Sequence, residues 1–268
     1  MPQVAQISVI NASTVVTDAE VSPVVAALQQ QVNHDFGPVW GIAAQLTFIP
    51  TGNQPPAGTW WLSILDDSDQ AGALGYHDIT PDGLPLGKVF AGTDLKYGSQ
   101  WSVTASHELL EMLADPNINL TVFVQSDQGS GGIIYSYEVC DACEADQFGY
   151  QIGNVTVSDF VYPSWFESFR AANSAQFDQQ KQIQSPFQLL SGGYIGVYNV
   201  TAGSGWQQQT ADKKLTDTLS RGNVGSRRER RRTPRELWVP SHPHKEIVHR
   251  AELYRQRIRK IEARRAAA

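Results

Sequence analysis

The segment from Trp101 to Pro116 constrains the fold of this chain more than any other. It reads WSVTASHELLEMLADP, and its apolar residues are spaced as on an α-helix. We predict this helix from about Ser99 to Leu113, stopped by Asp115-Pro116. Residues four apart share a helix face, so His107, Glu111 and Asp115 form one polar stripe on an otherwise apolar helix. Burying an imidazole and two carboxylates is costly unless something neutralises them, as a divalent metal ion does. The segment therefore predicts a buried metal-binding helix.

Glu108 follows the first residue of this stripe. Neighbouring helical residues point about 100° apart, so Glu108 is not expected to share the metal with His107. A carboxylate beside a metal can instead take a proton from the metal's water. We predict Glu108 as a catalytic base, with His107, Glu111 and Asp115 as ligands of one divalent metal.

A second acidic cluster follows downstream, in Glu138-Val-Cys-Asp-Ala-Cys-Glu-Ala-Asp146. Strand alternation would place Glu138 and Cys140 on one face. Glu138 is predicted as a further ligand, with Asp141 and Cys140 as alternatives to Asp115 for the third ligand. The cluster could equally form a calcium site of its own. Cys140 and Cys143 could bind metal with His107, form a strained disulfide, or simply be neighbours, whereas His77 is predicted to be a plain strand histidine.

The surrounding pattern predicts an α+β fold with a mixed sheet. Thr17 or Asp18 would cap an N-terminal helix that Gly37-Pro38 stops. The apolar stripe of this helix is Val21, Val24, Val25, Leu28 and Val32. Short strand candidates come before and after that helix and again after the metal helix, separated by turn clusters. These candidates are Gln3–Ile10, Ala43–Ile49, Thr59–Leu65, Ala73–Ile79, Leu86–Ala91, Thr121–Val124, Ile133–Val139 and Val155–Phe160.

His107-Glu108-x-x-Glu111 resembles the zincin metallopeptidase signature, in which two histidines bind zinc and a glutamate is the base. Glu111 stands where that signature has its second histidine, and glutamate is also a legitimate zinc ligand that tolerates calcium or manganese better than imidazole does. The strands before the helix resemble the metzincin clan, which implies an edge strand that pairs with an extended substrate. The pattern HExxExxxDP is also similar to uncharacterised bacterial and phage proteins. The resemblance implies a zinc-dependent peptidase or amide hydrolase acting on a peptide or protein.

Charge divides the chain into two parts. Residues 1–210 contain four basic and twenty acidic residues, whereas residues 211–268 contain seventeen basic and seven acidic ones, giving a net charge of −6. We predict a zincin-like domain at 1–210, a basic linker at 211–245 and a basic amphipathic docking helix at 246–268, whose stripe runs from Ile247 to Ile261. That tail would bind a protein partner, with nucleic acid as a less favoured partner and disorder as a further alternative.

The remaining features exclude several classes of protein. No apolar run approaches the roughly 20 residues that span a bilayer, and the N-terminal sequence has no secretory pattern. We therefore expect no membrane partner, and a location in the cytoplasm or in a particle. The alternative to an enzyme is a catalytically inactive, metal-stabilised module of a phage or similar assembly, attached through the basic tail.

Overall fold

A five-stranded mixed sheet forms the first half of the protein in a computed structural model. The structure describes residues 4–217 except 71–72, 81, 127–128, 130, 204 and 212–214. The strand order is β2-β1-β3-β5-β4. All neighbours are parallel except β4, which lies antiparallel to β5 at one edge. The strands are β1 Ala5–Asn11, β2 Ala44–Ile49, β3 Trp60–Leu65, β4 Gly75–Ile79 and β5 Pro85–Phe90.

The N-terminal helix α1 spans Asp18–Gln31 and packs on this sheet. Thr17 begins it with a capping box, in which its side chain accepts from the Glu20 backbone N–H while Glu20 bonds back to Thr17. This reciprocal pairing satisfies backbone donors that a helix start otherwise leaves open. A π-helical turn at Val32–Phe36 and a short helix α2 at Gly37–Trp40 continue it, so Gly37-Pro38 does not stop the helix at once. The N-terminal helix predicted from the sequence is confirmed.

The helix α4 spans Trp101–Ala114 and packs against β3, β4 and β5, after a short helix α3 at Ala91–Tyr97. Strand register places Leu62, Gly87 and His77 in one row across β3, β5 and β4. A Cβ at Gly87 would lie 2.7 Å from a Leu62 methyl and 3.8 Å from the Glu108 Cβ. The missing side chain therefore lets α4 approach the sheet beside His77.

The second half of the chain forms another five-stranded sheet, with the order β12-β11-β10-β7-β6. Its strands are antiparallel, and a separate hairpin is formed by β8 and β9. Residues 163–209 contribute Trp165, Phe177, Ile183, Leu190 and Ile195 to the same hydrophobic core as the first sheet. The strands are β6 Thr121–Gln125, β7 Gly132–Ser136, β8 Tyr150–Ile152, β9 Val155–Val157, β10 Tyr194–Asn199, β11 Trp206–Thr210 and β12 Leu215–Asp217.

The predicted domain boundary lies inside this second sheet. Strand β12 pairs with β11, so the sheet continues past residue 210 into the predicted linker. The rest of that linker, beyond residue 217, and the predicted docking helix at 246–268 lie outside the described residues. None of the described helices has the length and apolar character needed to cross a membrane.

A buried glutamine ties α1, α4 and the β8–β9 hairpin together. Gln31 is fully buried, and its Nε2 donates to the Ser158 carbonyl at 2.9 Å and to the Tyr150 hydroxyl at 3.2 Å. Its Oε1 accepts from the Ser106 hydroxyl at 2.7 Å, and that hydroxyl accepts from the Ser158 backbone N–H at 3.0 Å. A satisfied polar network of this kind fixes the relative position of three elements.

Gln31→Leu should therefore destabilise the protein although it adds an apolar residue to the core. The substitution removes one hydrogen-bond partner each from the Ser158 carbonyl, the Ser106 hydroxyl and the Tyr150 hydroxyl. A buried polar group left unsatisfied costs about 1–3 kcal/mol. We expect the free energy of unfolding, measured by urea titration, to fall by roughly 2–4 kcal/mol. Gln30→Leu, at an exposed position on the same helix, is the matched control. Equal stability of the two variants would contradict the network's role.

Candidate metal centre

The helix α4 carries His107, Glu108 and Glu111. The side chain of His107 is 12% exposed, while Glu108 and Glu111 are almost completely buried. His107 Nε2 lies 3.3 Å from Glu111 Oε2, as expected for residues four apart on one helix face. The other Glu111 oxygen, Oε1, accepts from the Cys140 backbone N–H at 3.1 Å. This hydrogen bond turns Glu111 Oε2 towards the imidazole.

His77 reaches the same region from the edge strand β4. Its side chain is completely buried, and its Nδ1 lies 3.6 Å from both Glu108 Oε2 and Glu111 Oε2. On its other side, His77 Nε2 lies 3.8 Å from Glu138 Oε2. The sequence prediction of a plain strand histidine missed this placement. Alternation places His77 on the face of β4 that it shares with Gly75, and Gly75 packs against Glu108. Which face meets α4 depends on contacts distant in sequence, so the sequence alone carried no signal for this placement.

The remaining carboxylates come from the irregular segment after β7. Strand β7 ends at Ser136, so Glu138 and Cys140 follow it and do not alternate on a strand as the sequence suggested. Asp141 Oδ1 lies 3.3 Å from His107 Nε2. Two sets of residues could hold a metal ion, each offering ligand atoms that all lie within 4.8 Å of one another. The inner group is His77, Glu111 and Glu138, and the outer group is His107, Asp141 and Glu144.

The structure places Asp115 outside both groups. The helix ends at Ala114, and Asp115 has left helical backbone geometry with φ −131°. Its carboxylate oxygens accept from the backbone N–H groups of Asn119 and Leu120 at 3.1 and 3.0 Å. Asp115 therefore organises the turn after the helix, and we do not retain it in the proposed ligand set.

The two cysteines are free thiols and are not joined in a disulfide. Both are buried, and burial, together with the negative charge of nearby acidic groups, raises the pKa of each well above its ordinary value. Cys140 contributes its backbone N–H to Glu111, and neither cysteine belongs to the inner or the outer group.

A cleft of ≈ 560 Å³ opens onto the outer group. His107, Glu108 and Glu144 line it, together with Gly75 of the edge strand and Tyr194 of β10. The inner group lies deeper, with relative exposures of 0% for His77, 2% for Glu111 and 4% for Glu138. The outer group is thus accessible from the cleft through His107 and Glu144, and the inner group is closed.

The pKa values of these groups depend on one another, because their charges lie close together. Burial lowers the pKa of His107, but the Glu111 and Asp141 carboxylates outweigh burial and hold that pKa well above its ordinary value. Burial acts to raise the pKa of Glu111, yet the two imidazoles lower it to about 2. Burial and the Glu111 charge raise the pKa of Asp141 to about 6, and burial and the Asp141 charge raise that of Glu144 to about 8.

Negative charge exceeds positive charge in this cluster. Five carboxyl groups surround two imidazoles, and the basic side chains of the described residues lie elsewhere. Three of these basic residues pair with Asp69, Asp67 and Glu167, and the fourth, Lys181, is exposed. Buried carboxylates without a cation carry a large desolvation cost. A divalent cation would supply the missing positive charge.

The distances between donor atoms fit a metal as well. Two ligands on a tetrahedral zinc ion, each about 2.0–2.2 Å from the metal, lie roughly 3.3–3.6 Å apart. His107 Nε2 lies 3.3 Å from both Glu111 Oε2 and Asp141 Oδ1. The donor set of one imidazole and carboxylate oxygens suits zinc, manganese or iron better than calcium, which takes oxygen ligands.

A further buried carboxyl group lies beside the cleft on α3. Asp94 is fully buried, and its Oδ1 accepts from the Thr104 hydroxyl at 3.0 Å. Its Oδ2 has no hydrogen-bond partner among the described residues. Burial is the main cause that raises the pKa of Asp94 from 3.8 to about 7. The folded protein therefore holds this proton over a range in which the unfolded chain has released it.

Asp94 should make the protein less stable as the pH rises from about 4 to about 7. In that range the folded state binds one more proton than the unfolded state, so the free energy of unfolding falls with pH, by as much as roughly 3 kcal/mol. Asp94→Asn should flatten this part of the stability curve, measured by urea unfolding at successive pH values. The exposed Asp82→Asn variant should retain the slope. Parallel curves for Asp94→Asn and the unmodified protein would contradict this assignment.

Comparison with known proteins adds no relative: no family model, no curated protein and no solved structure matches the chain. The function must therefore be inferred from the chemistry of the cleft. The sequence-based ligands His107, Glu111 and Glu138 lie in this cluster together with the predicted base Glu108. The structure adds His77 and Glu144 to it and favours Asp141 over Asp115.

Proposed function

We propose that the protein is a metal-dependent hydrolase of peptide or related amide bonds, with zinc as the metal. The observation that carries this proposal is the adjacency of His107 and Glu108 on α4 where both line one cleft. His107 offers a metal ligand there, and Glu108 offers a carboxylate beside it. A ligand and a base next to an accessible cleft are the components that metal-assisted hydrolysis requires.

The proposed ligands are His107 Nε2, Glu111 Oε2 and Asp141 Oδ1. His107 Nε2 lies 3.3 Å from each of the two carboxylate oxygens, as expected for donors on one ion. Glu144, in the outer group, could provide a further oxygen. Catalytic zinc sites have three protein ligands and one open position, and the cleft at His107 leaves such a position accessible. This set differs from the zincin signature by carboxylates in place of histidines.

When bound, the metal would polarise the scissile carbonyl and make the attacking water more acidic. Glu108 would accept the proton from that water and deliver it to the nitrogen of the leaving amine. The strand β4 holds Glu108 in position for this task. A Cβ at Gly75 would lie 2.7 Å from Glu108 Cγ and 2.8 Å from its Oε1, so the glycine leaves the space that the glutamate side chain occupies.

The edge strand supports a peptide as the substrate. Strand β4 is the outermost strand of the first sheet and runs antiparallel to its neighbour. Its first residue, Gly75, and the preceding Ala73 and Leu74 line the cleft. An extended peptide can add to such an edge by backbone hydrogen bonds, which would carry its carbonyl groups past Glu108. This arrangement agrees with the resemblance to metzincins.

An inactive, metal-stabilised module is the second candidate function. The burial of the inner group favours it, because closed metal sites stabilise folds without catalysis. Such a module would bind a protein partner through the tail predicted from the sequence, as part of a phage or similar assembly.

Hydrolysis of a peptide library tests the proposal. The full chain would be freed of metal with a chelator, reloaded with zinc or manganese, and incubated with the library, with cleavage detected by mass spectrometry. We expect cleavage that requires the metal and that His107→Ala abolishes, whereas His34→Ala, at an exposed histidine, retains it. Failure of the metal-loaded protein to cleave any peptide would favour the inactive module.

A further inference from the structure

We propose that the inner group binds a second divalent cation, separate from the ion in the cleft. Its ligands would be His77 from β4, Glu111 from α4 and Glu138 from the segment after β7. The chemical class is a divalent transition metal such as zinc or manganese, because the set combines an imidazole with two carboxylates. The sequence had predicted one metal and had assigned Glu138 to it.

His77 lies between two of the proposed carboxylate ligands. Its Nδ1 lies 3.6 Å from Glu111 Oε2, and its Nε2 lies 3.8 Å from Glu138 Oε2. An imidazole binds a given ion through one nitrogen, so these two distances do not both describe one ion. The Nδ1 separation approaches the roughly 3.3–3.6 Å between two donors on a tetrahedral zinc ion. One donor atom from each of the three residues falls within 4.8 Å of the others.

The charge of the cluster calls for more than one cation. The five carboxyl groups Glu108, Glu111, Glu138, Asp141 and Glu144 lie around two imidazoles, which are neutral when they bind metal. A single divalent ion in the cleft would contact Glu111 but would leave Glu138, on the other side of His77, without a bound cation. A second ion beside His77 would balance the charge of Glu138.

Glu111 connects the two ions. Its Oε2 lies 3.6 Å from His77 Nδ1 and 3.3 Å from His107 Nε2, so one carboxylate contacts both histidines. The inner site differs from the outer one in access, because its three residues are at most 4% exposed. Closed sites of this kind stabilise folds, and this one joins β4, α4 and the segment that carries Asp141. The inference therefore goes beyond the proposed hydrolysis and does not depend on it.

The number of ions per chain tests the inference. Native mass spectrometry of the full chain, loaded with zinc, should show two ions. Glu138→Gln and His77→Ala should each retain one ion, and His107→Ala and Asp141→Asn should each retain one. Glu111→Gln should lower the affinity of the protein for both ions. The exposed His34→Ala and Asp82→Asn controls should retain two ions. Because the inner site is buried, a chelator should remove one of the two ions slowly. This slowly released ion should be absent from His77→Ala and Glu138→Gln.

One ion in the unmodified protein would overturn the inference. If His77→Ala and His107→Ala then each abolish binding, both histidines hold a single ion. Circular dichroism would identify variants that fail to fold. The number of ions bound by the unmodified protein tests the second site even if such variants are set aside. The same count is made whether or not peptides are cleaved, so its failure is distinguishable from failure of the proposed hydrolase function.

Discussion

Glu108→Gln should abolish peptide hydrolysis while the protein keeps its metal and its fold. The amide has almost the size of the carboxylate but cannot accept a proton, so the water attack loses its general base. We expect kcat to fall by about 10²-fold or more. Rates on a cleaved peptide, metal content and melting temperature would be measured on the same preparation.

The exposed Asp82→Asn variant is the control for the loss of one acidic group. Its rate should equal that of the unmodified protein. Glu108→Gln that hydrolyses the peptide at an undiminished rate would show that another group is the base. Loss of metal in Glu108→Gln would show instead that Glu108 is a ligand, contrary to the roles proposed above.

Removal of metal should lower the melting temperature by roughly 10 °C. Ligand present at about a thousand times its Kd stabilises a protein by about 4 kcal/mol. A domain of this size changes its melting temperature by about 2–4 °C per kcal/mol. This loss includes the cost of leaving the carboxylates of Glu111, Glu138 and Asp141 buried near one another without a cation.

Calorimetry of the full chain before and after chelation would measure this shift. Restoring zinc should restore the original melting temperature, because the ligands come from an already folded cluster. A double variant, His107→Ala with Glu111→Gln, should melt at one temperature with or without chelator. An unmodified protein whose melting temperature ignores chelation would contradict the stabilising role of metal.

Local signals in the sequence were sufficient for the helices that matter here. The cap at Thr17 and the apolar stripe from Val21 to Val32 predicted α1, and all the stripe residues are buried. The run from Trp101 to Asp115-Pro116 predicted α4 within two residues at its start and one at its end. Both patterns depend on neighbours a few residues apart, which a single sequence displays directly.

Features that depend on distant contacts were not visible in the same way. His77 enters the cluster through the register of β4 on β5 and through the space at Gly87, neither of which leaves a local pattern. Strand β11, WQQQT, lacks apolar alternation and was not predicted. Asp115 had the correct spacing for the metal stripe, but its backbone leaves the helix at that residue.

The central claim is that metal binds where His107, Glu111 and Asp141 converge beside Glu108 and the cleft. Anomalous X-ray scattering at the zinc edge, from crystals of the full chain grown with zinc, tests this claim most directly. We predict an anomalous peak within bonding distance, about 2.0–2.2 Å, of His107 Nε2 and Glu111 Oε2. A map without a peak among these residues, from crystals that contain zinc elsewhere or none at all, would contradict it.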